Sequence, residues 1–352
     1  MLRRDPRLTV MLMIARHRLL PIALASTLIV VTGAILAPAA GSAAKHPQVT
    51  VMTRNLYLGA DLLPLAAAAP GAPFEQAVAA TLAHVQSTGP VARMTLIARE
   101  IASAHPDLVG LQEVSIWSTG PVGKKPTHVA VDYLKVIMGE LSRLHANYRV
   151  VARRLSLHIQ APSSTGVEVG FTDGNVVLAR GGVTVSHVHS ADFNHLLKIT
   201  TKALGTIAVT RSWNALDAVA NGVHLHFVNT QLEAYDANVR LKQAQELVAA
   251  PLKSKLETIL AGDLNSSPNL PIAADRLPYR AIQRAGFRDE RTSRPNCCFN
   301  DDLRTGAWDH IVDHIMAMPA VKLIRSFLTG AETTAAGRHP SDHGGVVSVV
   351  AL

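Results

Sequence analysis

Thr258-Ile259-Leu260-Ala261-Gly262-Asp263-Leu264-Asn265-Ser266-Ser267-Pro268 is the stretch that orders the rest of the chain. Its apolar run, Thr258 to Ala261, has the length and composition of a buried strand. It ends in a carboxylate and an amide two residues apart, so Asp263 and Asn265 project from one face at the strand's carboxyl end. Ser266, Ser267 and Pro268 then turn the chain away. Carboxyl ends of strands are where open α/β sheets collect ligands. Alone, the pattern also suits an ordinary Asp-x-Asn turn.

Four further segments repeat the design. Val49 and Val51 alternate into Met52-Thr53-Arg54-Asn55, which delivers Asn55 at a strand end. Asp107-Leu108-Val109-Gly110-Leu111-Gln112-Glu113 ends in Glu113. Val312-Asp313-His314-Ile315-Met316 embeds a carboxylate in an apolar run. His339-Pro340-Ser341-Asp342-His343-Gly344-Gly345 sets an Asp-His pair before a last strand, Val346 to Val350.

In this order, Asn55, Glu113, Asp263 with Asn265, Asp313, and Asp342 with His343 resemble the metal-dependent endonuclease/exonuclease/phosphatase superfamily over about residues 48–352. Deoxyribonuclease-like nucleases, abasic-site endonucleases, neutral sphingomyelinases and inositol polyphosphate phosphatases belong to it. The resemblance implies a four-layered α/β sandwich of two mixed β-sheets flanked by helices. It also implies an enzyme that hydrolyses phosphate esters, in particular phosphodiesters, by metal-assisted attack of water.

The same resemblance implies roles for the residues. Phosphodiester hydrolysis needs charge neutralisation on the phosphate, a positioned water and help for the leaving oxygen. Glu113 and Asp342 would supply hard anionic oxygens to Mg²⁺ or Mn²⁺, with Asn55 as a neutral supporting ligand. Asp263 would orient or deprotonate the water, Asn265 would donate to a phosphoryl oxygen, and His343 would donate to the phosphate while Asp313 orients its ring. Asp309 competes with Asp313, because Asp-His-Ile occurs twice between Trp308 and Ile315. Val312 to Ala317 is the better strand, which favours Asp313.

The chain departs from the pattern at Val228-Asn229-Thr230-Gln231-Leu232. Sphingomyelinase-like and deoxyribonuclease-like relatives often carry histidine where Gln231 stands, and that histidine helps hold the scissile phosphate. Gln231 can donate a neutral hydrogen bond there but cannot carry charge or transfer a proton. His226 is five residues away, an odd offset that puts it on the opposite strand face. A slower enzyme, a shifted pH profile or an unusual substrate is expected. The alternative reading is a catalytically weak or silent binding module that keeps the fold.

Composition bounds the rest. The 352 residues contain no linker or repeat, so residues 45–352 form one domain. Residues 1–44 have the form of an export signal: five arginines, then the apolar stretch Leu19 to Leu36, then a small-residue tail from Ala37 to Ala44. A retained membrane anchor is the rival. Removing that segment takes five arginines and one aspartate, leaving 29 basic against 25 acidic residues. So mild a balance lacks the strong footprint of a dedicated nucleic-acid binder. Nucleic acid and phospholipid remain open as substrates, no stable protein partner is implied, and a secreted monomer is expected. Adjacent Cys297 and Cys298 make a vicinal disulfide or two packed thiols, and the absence of metal-ligand spacing argues against a thiolate zinc site.

Periodicity predicts helices over 74–87, 91–104, 129–145, 237–255 and 279–285, with a β-rich middle over 175–228. Pattern alone leaves the parallel and antiparallel pairings undecided.

Overall fold

The computed structural model describes residues 47–290 and 293–352. The expected leader, residues 1–44, lies outside them.

Two mixed sheets form the frame. The first has eight strands: β1 (Gln48–Asn55), β2 (Leu108–Gln112), β3 (Ile116–Pro121), β4 (His128–Asp132), β5 (Tyr148–Pro162), β6 (Val167–Arg180), β17 (Lys322–Thr329) and β18 (Gly345–Ala351). Their order is β17-β18-β1-β2-β6-β3-β4, with β5 also paired to β6. The second has six: β7 (Thr184–Asp192), β10 (Ser212–Ala220), β11 (Val223–Gln231), β12 (Glu257–Asp263), β13 (Arg288–Asp289) and β16 (Asp313–Ala317), ordered β13-β16-β12-β11-β10-β7. Two small ribbons complete the set, β8 (Leu197–Thr201) with β9 (Gly205–Val209), and β14 (Cys297–Phe299) with β15 (Gly306–His310).

Each sheet has a parallel pair, β1 with β2 and β11 with β12, and the other pairings are antiparallel. Alternation along these strands separates the layers. Val49, Val51, Leu108, Leu225, Phe227, Ile259, Ala261 and Ile315 point inward and pack between the sheets. Met52, Val109 and Leu111 point outward beneath α2 (Ala72–Ser87), α3 (Pro90–Ala104) and α4 (Tyr133–Arg143), which follow the short α1 (Leu63–Ala67). On the far side, Val228, Leu260 and Met316 pack beneath α5 (Ala237–Ala249) and α6 (Leu277–Arg284). This is the four-layered sandwich that the resemblance implies. Burying each large apolar side chain contributes about 1.5–3 kcal/mol, so the fold tolerates an unfavourable polar cluster at one end.

The inward faces change character along their length. After Val51 come Thr53 and Asn55, after Phe227 come Asn229 and Gln231, and after Ala261 comes Asp263. All are buried. Just below the site, Asn229 bridges the sheets: its amide donates to the Leu111 and Val176 carbonyls, both at 3.1 Å, and its oxygen accepts from Gln112 at 2.6 Å. Glycine permits these approaches. A Cβ on Gly110 would lie 2.5 Å from Asn229 Oδ1, and one on Gly262 would lie 2.2 Å from the Thr230 carbonyl.

Two expected helices need correction. Residues 129–145 divide into β4 and α4, because Val129 and Val131 alternate against β3 and Asp132 caps the helix by accepting from Lys135 N at 3.0 Å. The helix expected over 237–255 stops at Ala249, ahead of Pro251, whose ring and missing N–H end the hydrogen-bond ladder. Strands β3 and β17 carry no clean alternation and are visible only through their partners.

Candidate active site

Seven of the eight expected site residues are brought together by direct hydrogen bonds in two adjacent groups, and the eighth, Asp342, flanks them. Asn55 donates to Glu113 Oε1 and to Asp263 Oδ2, both at 3.1 Å, while its own oxygen accepts from Tyr57 N. Gln231 donates to Glu113 Oε1 at 2.7 Å and lies 3.4 Å from Asp263 Oδ2. Asn265, in the left-handed region at φ 45°, donates its backbone N–H to Asp263 Oδ1 at 2.9 Å. Its side-chain amide donates to the Leu232 carbonyl at 3.0 Å and to Asp263 Oδ2 at 3.3 Å. Asp263 thus accepts from several donors and is fixed in direction.

Asp313 faces Asp263 across the β12/β16 register and meets His343 Nδ1 at 2.7 Å. Its second oxygen is buried without a hydrogen-bond partner. Asp309 is instead 79% exposed beside His310, so Asp313 is the carboxylate that enters the site. Asp342 Oδ2 lies 4.0 Å from His343 Nε2. His226 bonds Asp217 and the Pro251 carbonyl on the other face of β11, away from the site.

Electrostatics follow from this crowding. Burial, opposed by His343 and reinforced by the Glu113 charge, pushes the Asp342 carboxyl up to about 6. Burial likewise raises Asp313. For His343 burial opposes protonation, yet Asp313, Asp342 and Asp263 outweigh it and hold the ring well above its ordinary pKa. Asp263, Asp313 and His343 present ligand atoms within 4.8 Å of one another. Clustered carboxylates repel each other until a cation or proton intervenes, and hard oxygens suit Mg²⁺ or Mn²⁺. The clustered carboxylate oxygens therefore fit a divalent cation, with His343, held protonated by Asp313, beside them and not among the ligands.

Three features were not anticipated from the sequence. Arg211 donates to Gln231 Oε1 at 2.6 Å. Burial works against its charge, but Glu233, Glu113, Asp173 and Asp263 outweigh it. Positive charge missing at residue 231 is thus supplied immediately behind it. The signal was the Asn221-Gly222 turn, with both residues at positive φ. Counting out from Ala220 opposite Val223 carries the hairpin to Ser212 beside Gln231, which delivers Arg211. Asp173, bonded to Ser115 at 3.0 Å, is pushed up to about 7 by burial and Glu113 against Arg211. Of the two states expected for Cys297 and Cys298 the vicinal disulfide is the one formed, and the unanticipated feature is its place, with sulfurs 3.5 and 3.7 Å from His343 Nε2.

Two predictions arise here. Asp342, Asp313, Asp173 and His343 all hold protons more tightly in the folded chain, so the folded state binds more protons than the unfolded one between about pH 4 and 7. Stability of the metal-free protein should therefore fall as pH rises through that window, by at least about 5 °C in melting temperature. Mg²⁺ or Mn²⁺ should restore it at pH 7, and Glu113→Gln should remove most of that gain. Thermal melts across pH, with and without metal, decide both points. Separately, in Gln231→His the ring nitrogen facing Arg211 must accept a hydrogen bond and stay unprotonated. The pH–rate profile of Gln231→His should then show no new ionisation near neutrality, and its appearance would remove Arg211 from control of this position.

Comparison with known proteins agrees with the fold. The profile of the endonuclease/exonuclease/phosphatase family matches residues 82–343. The chain belongs to this family, whose members hydrolyse phosphate esters and generally depend on divalent metal. Among solved structures, an endonuclease/exonuclease/phosphatase from Beutenbergia cavernae is similar at 20% identity and TM-score 0.55, covering 87% of this chain and 72% of that one. A Bacteroides vulgatus family protein is similar at 15% identity and TM-score 0.53, covering 87% and 99%. A Bacteroides thetaiotaomicron mannosyl-6-phosphatase is similar at 17% identity and TM-score 0.51, covering 86% and 100%. At these identities the likeness is one of fold. No curated protein sequence matches the chain.

Proposed function

We propose that the protein is an exported, Mg²⁺- or Mn²⁺-dependent phosphoesterase acting on phosphodiesters as a monomer. The observation that carries this reading is the meeting of Asp263, Asn265, Asn55, Glu113 and Gln231 in one hydrogen-bonded group beside the Asp313–His343 pair. Glu113, Asp342 and Asn55 would hold the cation, which when bound neutralises charge on the phosphate. Asp263 would take the proton of the attacking water, and its four N–H contacts fix the direction in which its carboxylate faces that water. Asn265 and Gln231 would offer amide donors to phosphoryl oxygens. His343, kept protonated by Asp313, would donate to the phosphate or leaving oxygen.

Gln231 favours a second reading, a weakly active or silent binding module, because a neutral amide replaces a group able to carry charge. Arg211 behind it weakens that alternative. The deciding assay offers the purified protein plasmid DNA, RNA, sphingomyelin and bis(4-nitrophenyl) phosphate with Mg²⁺ or Mn²⁺. Metal-dependent cleavage of one class supports the enzyme and names its substrate type, whereas cleavage of none supports the binding module.

A further inference from the structure

Beside the candidate site lies a cavity of about 130 Å³ that the proposed chemistry does not use. Leu157 and Ile159 of β5, Ile199 of β8, and Ile207 and Val209 of β9 form its apolar wall. Its rim is also apolar: Leu63, Leu204 and Tyr235 line it while remaining 48%, 38% and 59% exposed. Exposed large apolar side chains gathered at one opening mark a binding surface more than chance does.

The cavity reaches the site by two short routes. Leu58 lines it and donates its backbone N–H to Glu113 Oε2 at 2.7 Å. Arg211 lines it as well, and joins Glu113 through Gln231. Arg211 Nε is buried without a hydrogen bond and lies 3.9 Å from Glu233 Oε2. A ligand whose anionic end sits among Glu113, Gln231 and His343 would therefore meet Arg211, with the Asp173 carboxyl beside it in the lining, and then an apolar wall.

We propose that this cavity is a subsite for an unbranched alkyl chain ester-linked to the substrate phosphate, an inference that rests on the phosphoesterase reading. Dry apolar cavities of about 150 Å³ hold a six-carbon ring, so this one suits about the same number of carbons. A nucleobase is the poorer occupant, because its polar edges would be left unpaired against leucine and isoleucine. This is a sequence-silent feature: the apolar docking element is the β8–β9 ribbon, whose residues alternate without marking themselves as a surface loop.

The test measures kcat/KM for methyl, ethyl, butyl, hexyl and octyl 4-nitrophenyl phosphates with the full chain and Mg²⁺. We expect a rise of about fourfold per methylene up to hexyl and little beyond. Ile207→Trp, which fills the cavity, and Ile207→Asp, which makes it polar, should each bring the hexyl-to-methyl ratio towards one. In parallel, thermal melts compare methylphosphonate with hexylphosphonate, which cannot be hydrolysed. Stronger stabilisation by hexylphosphonate supports the subsite even if no ester is cleaved, an outcome that would overturn the hydrolase reading alone. Cleavage with a flat chain-length series, or equal stabilisation by the two phosphonates, overturns the subsite and leaves the hydrolase reading standing.

Discussion

Asp263→Asn is expected to lower kcat by about three orders of magnitude while KM changes little. General-base help is worth about 10²- to 10⁴-fold, and the amide cannot supply it. The stability cost should be small. Asp263 accepts from Asn55, Asn265 and Gln231, so an amide nitrogen in its place faces donors, at a cost of about 1–3 kcal/mol. Against that, removing its charge relieves Asp313. Steady-state kinetics beside a thermal melt separate the two effects. Near-normal turnover would take Asp263 out of the chemistry.

His343→Ala should cost both turnover and stability. The ring closes a buried pair with Asp313 at 2.7 Å, and breaking such a pair from one side typically costs about 3–5 kcal/mol. Asp313 would then take up a proton, which burial already favours. His343→Gln keeps a donor towards Asp313 and should recover much of the stability, yet it cannot transfer a proton. Its kcat should stay at least about 10²-fold below wild type. If His343→Gln restored turnover together with stability, His343 would be a positioning group only.

Much of the site was legible because its residues close apolar runs. Asn55, Glu113 and Asp263 each follow a stretch too apolar for a loop, and a two-residue period assigns their faces without knowledge of neighbours. Asp313 over Asp309 followed from the same rule. Pairing was illegible, because whether β1 lies beside β2 in parallel depends on which distant edge is free, not on either strand's composition. Arg211 was missed for a related reason, although the Asn221-Gly222 turn carried the signal. Arginine is a surface residue by default, and its burial here appears only once β10 is laid against β11. The split of residues 129–145 was missed because Val129 stands four residues before Tyr133 and Val131 three before Leu134, helical spacings, while Val129 and Val131 also alternate as a strand, and β3 decides between them.

The buried amides of Asn229 and Gln112 have a mechanical meaning. The first sheet contributes Asn55 and Glu113 to the reacting end, the second contributes Asp263 and Gln231, and the bonds between them cross the seam. An apolar interface can slide at little cost, since its attraction has no direction. Asn229 donates across that seam to Leu111 and Val176 and accepts from Gln112, so it sets the gap between the sheets as a spacer sets a bearing. A leucine in its place would keep the core and lose the gauge, and the two half-sites would drift out of register in a protein that still melts cooperatively.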